Sequence, residues 1–230
     1  MKEKEIEIIL PQEGEILDIE LEEDFLKRNQ LLAQENRKRL DSFGITCIDV
    51  MGSIGSGKTT LLASLIPFLK DKYSLGILAG DLTTTLDAER LAREGVEVLQ
   101  INTGKECHLD ALLVKKALSK LPLKRLDLIF IENVGNLICP AEFPLGSHKR
   151  VVVISVTEGP WMVVKHPFIF QGADLLVINK IDLAQPMGVD PEALLLQAKK
   201  INPSLQGIKT DLKKGRGVKE IIKALGLSHA

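Results

Sequence analysis

One stretch of the sequence has the residue types and the spacing of a phosphate-binding loop. The segment Gly52-Ser-Ile-Gly-Ser-Gly-Lys-Thr59 matches the pattern GxxxxGK(S/T) in full and is followed by a helical run. In such a loop, glycines expose backbone N–H groups to phosphate oxygens, the lysine bridges the β and γ phosphates, and the hydroxyl ligates Mg²⁺. The alternative is a plain Gly-rich turn between strand and helix. We predict nucleotide binding by Ser53, Ile54, Gly55, Ser56, Gly57, Lys58, Thr59 and Thr60.

Two carboxylates follow directly after apolar runs and are candidates for the same site. Asp81 closes one run and Glu132 closes another. If both runs are parallel strands, their carboxyl ends lie beside the phosphate loop, where they can hold Mg²⁺ together with Thr59. We predict that role for both and name Lys58 and Asp81 as catalytic residues. Asp81 as a cap for a helix near Thr84 and Glu132 as a solvated turn residue are the alternatives.

A third motif, Asn179-Lys180-Ile-Asp182, follows another apolar run and is a candidate for binding the nucleotide base. A carboxylate such as Asp182 accepts hydrogen bonds from N1–H and the exocyclic amine of guanine, an edge that adenine does not present. The alkyl stem of Lys180 would stack on the base. Asn-Lys is also ordinary turn chemistry, but at a strand end after a phosphate loop the motif predicts GTP as the nucleotide.

Cys107-His108 and the later Cys139 could bind a soft metal ion. Thiolate and imidazole donors suit Ni²⁺ or Zn²⁺, and the ligand set does not decide between the two metals. Three donors leave the coordination incomplete within one chain, and their spacing is not a local zinc motif, so core thiols are the alternative. Cys47, inside an apolar run, is predicted to be a core thiol. The other histidines are predicted to be loop or tail residues: His148, His166 and His229.

These motifs need a scaffold, and short apolar runs separated by helical segments provide it. Continuously apolar runs are typical of strands buried on both faces, and helices between them imply right-handed crossovers. We predict an α/β fold with a doubly wound, mostly parallel sheet of the phosphate-loop NTPase type. The predicted strands are 45–51, 75–79, 96–101, 126–131, 151–156, 175–178 and a short one near Ile208.

The ends of the chain complete this organisation. Residues 22–40 are predicted to form an N-terminal amphipathic helix with Leu21, Phe25 and Leu32 on one face. Near the other end, Asp190 and Pro191 form a good N-cap and first helical position. We predict an N-terminal appendage over residues 1–43, made of a strand-like segment and this helix, and one phosphate-loop GTPase domain over residues 44–230.

The composition excludes several classes of function. The 230 residues carry 30 Lys and Arg against 31 Asp and Glu, a net charge of −1, so neither nucleic acid nor a membrane is expected as a partner. With 45% hydrophobic residues the chain is not disordered. Its three cysteines cannot form a disulfide framework and fit a reducing compartment. Because no signal or membrane-spanning segment is evident, a cytoplasmic location is expected.

Taken together, the motifs resemble those of the HypB family of hydrogenase maturation GTPases. Besides the phosphate loop and residues 179–182, the resemblance rests on residues 80–90, 103–111 and 131–140, and it covers the chain from about residue 21. It implies a dimerising GTPase that helps deliver nickel to the large subunit of nickel–iron hydrogenase, alongside other maturation proteins. It also implies that Cys107, His108 and Cys139 bind Ni²⁺ or Zn²⁺ at a dimer interface where a second copy completes the coordination.

Some positions depart from the family pattern. Leu112 and Lys115 or Lys116 stand where many members carry further histidines, so no second metal site is predicted there. An N-terminal nickel-binding tract is also absent, and nickel storage is not predicted. The segment 211–213, Asp-Leu-Lys, takes the place of a base-contacting loop that is usually Ser-Ala-Lys, although its backbone N–H groups can still serve. Lys165 is either a contact across the dimer or a solvated loop lysine.

These features predict slow, Mg²⁺-dependent GTP hydrolysis that acts as a switch, with GTP favouring a homodimer. The sequence does not identify an activating Gln or an arginine finger. One alternative is a maturation GTPase for another nickel or cobalt enzyme, such as the urease accessory protein, whose Cys-Pro-His motif differs from the separated cysteines here. Another is a nucleotide-gated binding protein with no metal cargo. A small-molecule kinase is disfavoured because kinases of this type that use ATP have no role for the guanine motif.

Overall fold

Seven strands form a single sheet in the computed structural model, which describes residues 19–104 and 106–227, with side chains from residue 24 onward. The strands are β1 Thr46–Gly52, β2 Leu75–Asp81, β3 Glu97–Asn102, β4 Leu128–Glu132, β5 Lys149–Ser155, β6 Leu175–Asn179 and β7 Gln206–Lys209. Their order across the sheet is β3-β2-β4-β1-β5-β6-β7. Every pairing between neighbouring strands is parallel.

Helices connect these strands and cover both faces of the sheet. Within the described ranges they are α1 Ile19–Ser42, α2 Lys58–Leu69, α3 Leu86–Ala92, α4 Ala111–Leu118, α5 Cys139–Glu142, α6 Met162–Lys165, α7 Phe168–Gln171, α8 Pro191–Ile201 and α9 Val218–Ala224. The predicted start of α8 is confirmed, since Pro191 is its first residue and the Asp190 carboxylate accepts a hydrogen bond from Glu192 N at 2.9 Å.

The central strand β1 shows why the sheet is buried on both faces. Ile48 and Val50 pack into a core formed with α2 and α9. Cys47 and Met51 point to the opposite face and belong to two further cores there. All four side chains are at most 1% exposed. The predicted doubly wound fold of the phosphate-loop NTPase type is therefore confirmed, and its sheet is entirely parallel over the described residues.

Strand boundaries differ slightly from the predicted ones. The apolar run that begins at Leu126 does not enter β4 until Leu128, because Leu123–Arg125 forms a 3-10 turn. The turn is closed by a hydrogen bond from Leu126 N to Leu123 O at 3.2 Å. Hydrophobicity alone extended the strand because Leu126, which follows the turn, is buried like the residues of β4.

The N-terminal helix α1 is longer than predicted, and its buried face differs in part from the predicted one. Phe25 is 50% exposed and Leu32 is only partly buried. Its buried side chains are Asn29, Ala33, Asn36 and Leu40. The predicted face is confirmed only in part: the Phe25 ring contacts Phe143 with centroids 5.6 Å apart, but half of the buried side chains are polar. The side chain of Leu21 lies outside the described residues.

Two buried asparagines fasten α1 to the rest of the molecule. Asn36 Nδ2 donates to Ala111 O at 2.8 Å and to Leu145 O at 3.1 Å, and Asn29 Oδ1 accepts from Ala111 N at 2.7 Å. The two bonds to Ala111 satisfy backbone groups where α4 begins, and the third satisfies a carbonyl in the segment after α5, so α1 holds both segments.

The predicted strand-like segment before α1 and His229 lie outside the described residues. None of the helices in the part of the chain that is described is long and apolar enough to span a membrane.

Candidate functional site

An open cleft of about 950 Å³ lies at the carboxyl ends of the central strands. The parallel order brings Asp81 at the end of β2, Glu132 at the end of β4 and Asn179 at the end of β6 to this one edge. All of the predicted phosphate-loop and base-motif residues line the cleft except Ser53 and Ser56. The sheet topology thus gathers motifs that are far apart in the sequence.

The loop between β1 and α2 has the geometry that a phosphate cradle requires. Gly57 is the N-cap of α2 and has φ of 114°, in the left-handed region that favours glycine. A Cβ atom at Gly57 would lie 2.3 Å from Asn179 Nδ2, and one at Gly52 would lie 2.2 Å from Val153 O. The loop therefore fits against its neighbours only with glycine at both positions.

Lys58 is held inside this loop. Its Nζ donates to the carbonyl oxygens of Gly52 and Ser53, both at 3.1 Å, and the residue is only 8% exposed. Burial lowers the pKa of Lys58, while the carboxylates of Glu132 and Asp87 act in the opposite direction. The ammonium group is thus poised among carbonyls that an anion's oxygens can replace.

Thr59 and Glu132 form a buried pair beside the lysine. Thr59 Oγ1 donates to Glu132 Oε1 at 2.6 Å, and Glu132 is 3% exposed, so it is not a solvated turn residue. Burial raises the pKa of the Glu132 carboxyl to about 7, against the opposing effects of the Thr59 hydrogen bond and the Lys58 charge. Its second oxygen, Oε2, is buried without a hydrogen-bond partner among the described residues.

The donor set at this point suits a hard cation. Carboxylate, hydroxyl and phosphate oxygens are the ligands that Mg²⁺ prefers, and an orphaned buried carboxylate oxygen beside a threonine hydroxyl is a group that such an ion would satisfy. Asp81 also faces the cleft, but its Oδ1 accepts from Leu82 N at 2.5 Å and its Oδ2 accepts from Thr84 Oγ1. Asp81 organises the loop before α3, whose N-cap is Thr85.

The other end of the cleft is built around Asn179. Its Nδ2 donates to Ser56 O at 2.9 Å, while its Oδ1 accepts from Leu212 N and from Thr210 Oγ1, both at 3.2 Å. Asn179 is 4% exposed, so these bonds are shielded from water. One side chain therefore ties the phosphate loop to strand β6 and to the segment 211–213, which also lines the cleft.

Lys180 and Asp182 project from the turn that follows β6. Lys180 adopts φ of 59° and is the one non-glycine residue with positive φ in the described chain. This conformation is strained for a lysine and redirects the chain so that Asp182 also lines the cleft. Asp182 is exposed, which leaves its carboxylate accessible to a base.

The structure adds cleft residues that the motifs did not indicate. Asp87 and Arg90 of α3 line the cleft, and Arg90 lies close enough to donate to Thr60 Oγ1 at 3.4 Å. Asp87 and Arg90 are spaced to lie on one face of a helix, which the sequence shows. That they line the cleft can be predicted only when α3 is known to pack beside α2. Asn133, directly after Glu132, also lines the cleft.

A second cluster of chemical groups lies where the segment between β3 and α4 meets the segment that follows β4. The donor atoms of Cys107, His108 and Cys139 all lie within 4.8 Å of one another. Cys107 Sγ is 3.0 Å from Cys139 Sγ and 3.9 Å from His108 Nδ1. Cys107 is exposed and Cys139, at the start of α5, is partly exposed. The structure brings the three predicted metal ligands together. The alternative that Cys107 and Cys139 are core thiols is therefore wrong.

Packing sets the position of these donors. The His108 ring stacks on Phe143 with ring centroids 3.9 Å apart, and burial lowers the pKa of this histidine. Burial also raises the pKa of the Cys139 thiol, and the adjacent Cys107 adds to that rise. The α4 N-terminus is capped by Asp110, whose Oδ1 accepts from Leu113 N at 2.7 Å. A set of two soft thiols and one imidazole fits Ni²⁺ or Zn²⁺ and leaves coordination positions for a further ligand.

The remaining cysteine and a neighbouring histidine have structural roles. Cys47 is fully buried in β1, as predicted, and burial strongly raises the pKa of its thiol. His148 accepts a hydrogen bond from Cys47 N at 2.9 Å through Nδ1, and its Nε2 lies 2.8 Å from Asp41 Oδ1. His148 therefore joins the end of α1 to β1, a role that its isolated position in the sequence does not reveal.

The parallel sheet and the Gly-rich loop that starts α2 define a phosphate-loop nucleotide-binding protein. Residues 46–209 match the family model described as "CobW/HypB/UreG, nucleotide-binding domain". The chain is 51% identical over 205 residues to the probable hydrogenase maturation factor HypB of Methanocaldococcus jannaschii, covering 89% of this chain and 93% of that protein. The chain belongs to the HypB family of hydrogenase maturation factors, as the resemblance of its motifs predicted.

Solved structures agree with this assignment. HypB from Archaeoglobus fulgidus has 46% sequence identity and a TM-score of 0.80, with 87% of this chain and 98% of that chain covered. HypB from Helicobacter pylori, solved in complex with nickel, has 34% identity and a TM-score of 0.81, with 86% and 93% covered. The fold and the family are therefore supported by sequence and structure together.

Proposed function

We propose that this chain is a GTP-hydrolysing metallochaperone switch that serves nickel insertion into nickel–iron hydrogenase. The observation that carries the proposal is the segment after β4: it begins at Glu132 in the nucleotide cleft and reaches Cys139 in the thiol cluster. One short piece of chain thus belongs to both sites. Family membership and the nickel complex of the Helicobacter pylori relative support the choice of cargo.

In the nucleotide site, Lys58 exchanges its two loop carbonyls for phosphate oxygens, and the backbone N–H groups at the start of α2 hold the same anion. Thr59, Glu132 and Asp81 would hold Mg²⁺, which neutralises the charge that develops on the phosphates. In this proposal Asp81 exchanges its bonds to Leu82 N and Thr84 Oγ1 for contacts to the metal or to the attacking water. Among the described residues that line the cleft, Arg90 is the candidate for a group that activates hydrolysis. We therefore expect hydrolysis by one chain to be slow.

In the base site, Asp182 selects guanine and Lys180 covers the ring with its stem. Asn179 acts on the protein side, since its three side-chain bonds join it to Ser56 of the phosphate loop, to Thr210 after β7 and to Leu212. It fixes the distance between the phosphate and base contacts. Backbone N–H groups of 211–213 complete the base site.

In the metal site, Cys107, His108 and Cys139 bind Ni²⁺, or Zn²⁺ as a competitor, as cargo. The cluster is exposed on one side, so a second copy of the chain can supply the missing ligands and GTP favours that homodimer. Hydrolysis then separates the copies and lowers the affinity for the cargo, which passes to other maturation proteins and the hydrogenase large subunit. The catalytic unit is residues 44–230, with α1 as an appendage packed on it.

Gel filtration with metal analysis of each peak tests the proposal. With a non-hydrolysable GTP analogue and Ni²⁺, the full chain should elute as a dimer carrying metal, and with GDP it should elute as a monomer with less metal. An oligomeric state and a metal content that ignore the nucleotide would contradict the switch.

Base selection has its own test, since Asp182→Asn should weaken GTP binding on the order of 100-fold by removing a charged acceptor. The same variant should gain affinity for xanthosine triphosphate, because the amide can donate to the extra base oxygen. Preference for ATP in the wild-type chain would refute the guanine assignment. Asp190→Asn, which retains a helix-capping oxygen away from the cleft, is the matched control.

A further inference from the structure

Residues 133–138, here called the linking segment, touch the phosphate loop on one side. Asn136 pairs with Gly52, the first residue of the loop, in an isolated antiparallel β-bridge. Gly135 lies directly against Ile54: a Cβ atom at Gly135 would be 2.4 Å from Ile54 Cγ1 and 3.0 Å from Ile54 N. The phosphate loop and the linking segment are in close contact at this point. A displacement of the loop must therefore also displace the linking segment.

The same asparagine touches the thiol cluster on the other side. Asn136 Nδ2 donates to Cys107 O at 3.3 Å, and Asn136 Oδ1 accepts from Ile138 N at 3.0 Å. The first bond reaches the residue that carries one thiol, and the second holds the turn that leads into Cys139. The amide of Asn136 thus fixes the relative position of the two cysteine-bearing segments.

A buried hydrogen-bond pair anchors the start of the linking segment. Asn133 Nδ2 donates to Asp49 Oδ1 at 3.2 Å, and Asn133 Oδ1 accepts from Val134 N at 3.0 Å and Leu109 N at 3.4 Å. Asn133 and Asp49 are both fully buried. This end is therefore fixed to β1, and movement of the phosphate loop is taken up further along, at Gly135 and Asn136.

Phosphate binding changes the partners of the residue to which Asn136 is bridged. Lys58 Nζ now bonds to Gly52 O and Ser53 O, and it must leave those carbonyls to reach a phosphate. The carbonyl of Gly52 then loses its hydrogen bond from the Lys58 ammonium group, and the phosphate anion lies next to the loop. Because Gly52 is bridged to Asn136, this exchange acts on the residue that positions both cysteines.

We infer that Asn136 is a positioning residue that couples occupancy of the phosphate loop to the metal affinity of the Cys107, His108 and Cys139 cluster. The inference rests on the proposed function and specifies the route by which its two sites communicate. Asn136 contacts neither nucleotide nor metal in this role. It acts through the backbone of Gly52, the carbonyl of Cys107 and the interaction of its side chain with the Cys139 thiol.

The test measures the Ni²⁺ dissociation constant of the full chain in a chromophoric competition assay, once with GDP and once with a non-hydrolysable GTP analogue. Coupling between two binding sites usually changes affinity by about 5- to 150-fold, and the wild-type ratio should fall in that range. Asn136→Ala should reduce the ratio by at least about twofold, as substitutions along a coupling network do. Nucleotide affinity without metal should stay at the wild-type value.

Two further variants isolate the bond that matters. Asn136→Asp keeps the acceptor for Ile138 N and removes the donor to Cys107 O, so its ratio should fall as far as that of Asn136→Ala. Asn202→Ala is the matched control, because Asn202 also donates to backbone carbonyls, at 3.0 Å to Phe170 O and Ala173 O, away from both sites. Its ratio should equal that of the wild type.

Reciprocity gives an independent readout: Ni²⁺ must change the preference for the GTP analogue over GDP by the same factor, and Asn136→Ala must reduce both factors equally. Ratios in both Asn136 variants that equal the wild-type ratio would overturn the inference and leave the proposed function standing. A wild-type ratio of one, with nucleotide and metal both bound, would overturn the proposed switch and the inference with it.

Discussion

The nucleotide cleft and the thiol cluster are built in opposite ways from the same sheet. In the cleft, Lys58, Glu132 and Asn179 are 8%, 3% and 4% exposed, and each is held at the end of a buried strand or the start of a helix. In the cluster, Cys107 is exposed and lies on the segment before α4, and Cys139 is partly exposed at the start of the short helix α5. The first site is preorganised within one chain, whereas the second presents three donor atoms near the surface.

This difference fits the roles that we propose for the two sites. A phosphate site must hold several charges in fixed positions, and rigid dipoles in a shielded cleft do so without reorganisation. A site that delivers a metal ion must also release it, which requires access and a coordination sphere that can be opened. The exposed cluster, joined to the cleft by residues 133–138, fits that requirement.

The largest expected effect concerns the buried cation of the cleft. Lys58→Ala should lower the rate of GTP hydrolysis by about 10²- to 10³-fold, because it removes a preorganised positive charge at the phosphates. Steady-state phosphate release measures this, and Ni²⁺ titration of the same variant should give the wild-type stoichiometry. Lys70→Ala, which removes an exposed lysine just beyond α2, is the control. Loss of metal binding in Lys58→Ala would show that the two regions are not built independently.

The buried carboxylate of the cleft should make the free protein sensitive to pH. The pKa of Glu132 is raised from 4.5 to about 7, so the folded state binds the proton more tightly than the unfolded chain. This stabilisation is complete below about pH 4.5 and is lost as the pH rises through 7. Without metal or nucleotide, Glu132→Gln should therefore be more stable than the wild type at pH 8, by up to roughly 3 kcal/mol.

Urea unfolding at pH 5 and pH 8 measures this difference. Part of the pH dependence should remain in Glu132→Gln, because burial also raises the pKa of Asp49 to about 6. The prediction is contradicted if the unfolding free energy of Glu132→Gln changes with pH as much as that of the wild type. The pKa of Glu132 would then be close to its unfolded value, and the cleft would be more open to water than the burial of Glu132 indicates.

The exposed cluster should lose function without losing stability. Cys107→Ser replaces a soft thiolate by a hydroxyl and should weaken Ni²⁺ binding by at least about 100-fold, since even the loss of groups behind a metal ligand costs 10- to 100-fold. Its unfolding midpoint and its affinity for GTP should stay at wild-type values. Cys47→Ala is the matched control, because that thiol is buried in β1 and should not affect the metal stoichiometry. Equal effects of the two substitutions on Ni²⁺ binding would remove Cys107 from the site.

The two regions also differ in how far the sequence could predict them. The phosphate loop, Glu132 and the 179–182 motif follow apolar strands, so their meeting at one edge could be expected from the topology of parallel sheets. The meeting of Cys107 with Cys139 could not be expected from spacing, because it depends on how two irregular segments cross. The resemblance to a family, rather than periodicity, indicated that cluster.

The least predictable features are those in which polar groups take the place of apolar contacts. The buried stripe of α1 includes Asn29 and Asn36, whose value lies in bonds to backbone groups at Ala111 and Leu145. Hydrophobic periodicity cannot detect such residues. Asn133 and Asn136 are of the same kind, since their partners become known only when the chain is folded.

The smallest expected effect tests whether packing alone positions the cluster. The His108 ring stacks on Phe143 at 3.9 Å, and such aromatic contacts contribute about 0.5–1.5 kcal/mol. Phe143→Leu should therefore weaken Ni²⁺ binding by about 2- to 10-fold, with GTP affinity unchanged. Phe25→Leu is the control, because Phe25 is 50% exposed and contacts Phe143 but not His108 in the ring pairs. If Phe143→Leu binds Ni²⁺ as the wild type does, the donors are already held by the hydrogen bonds of Asn136, and the cluster is more preorganised than its exposure indicates.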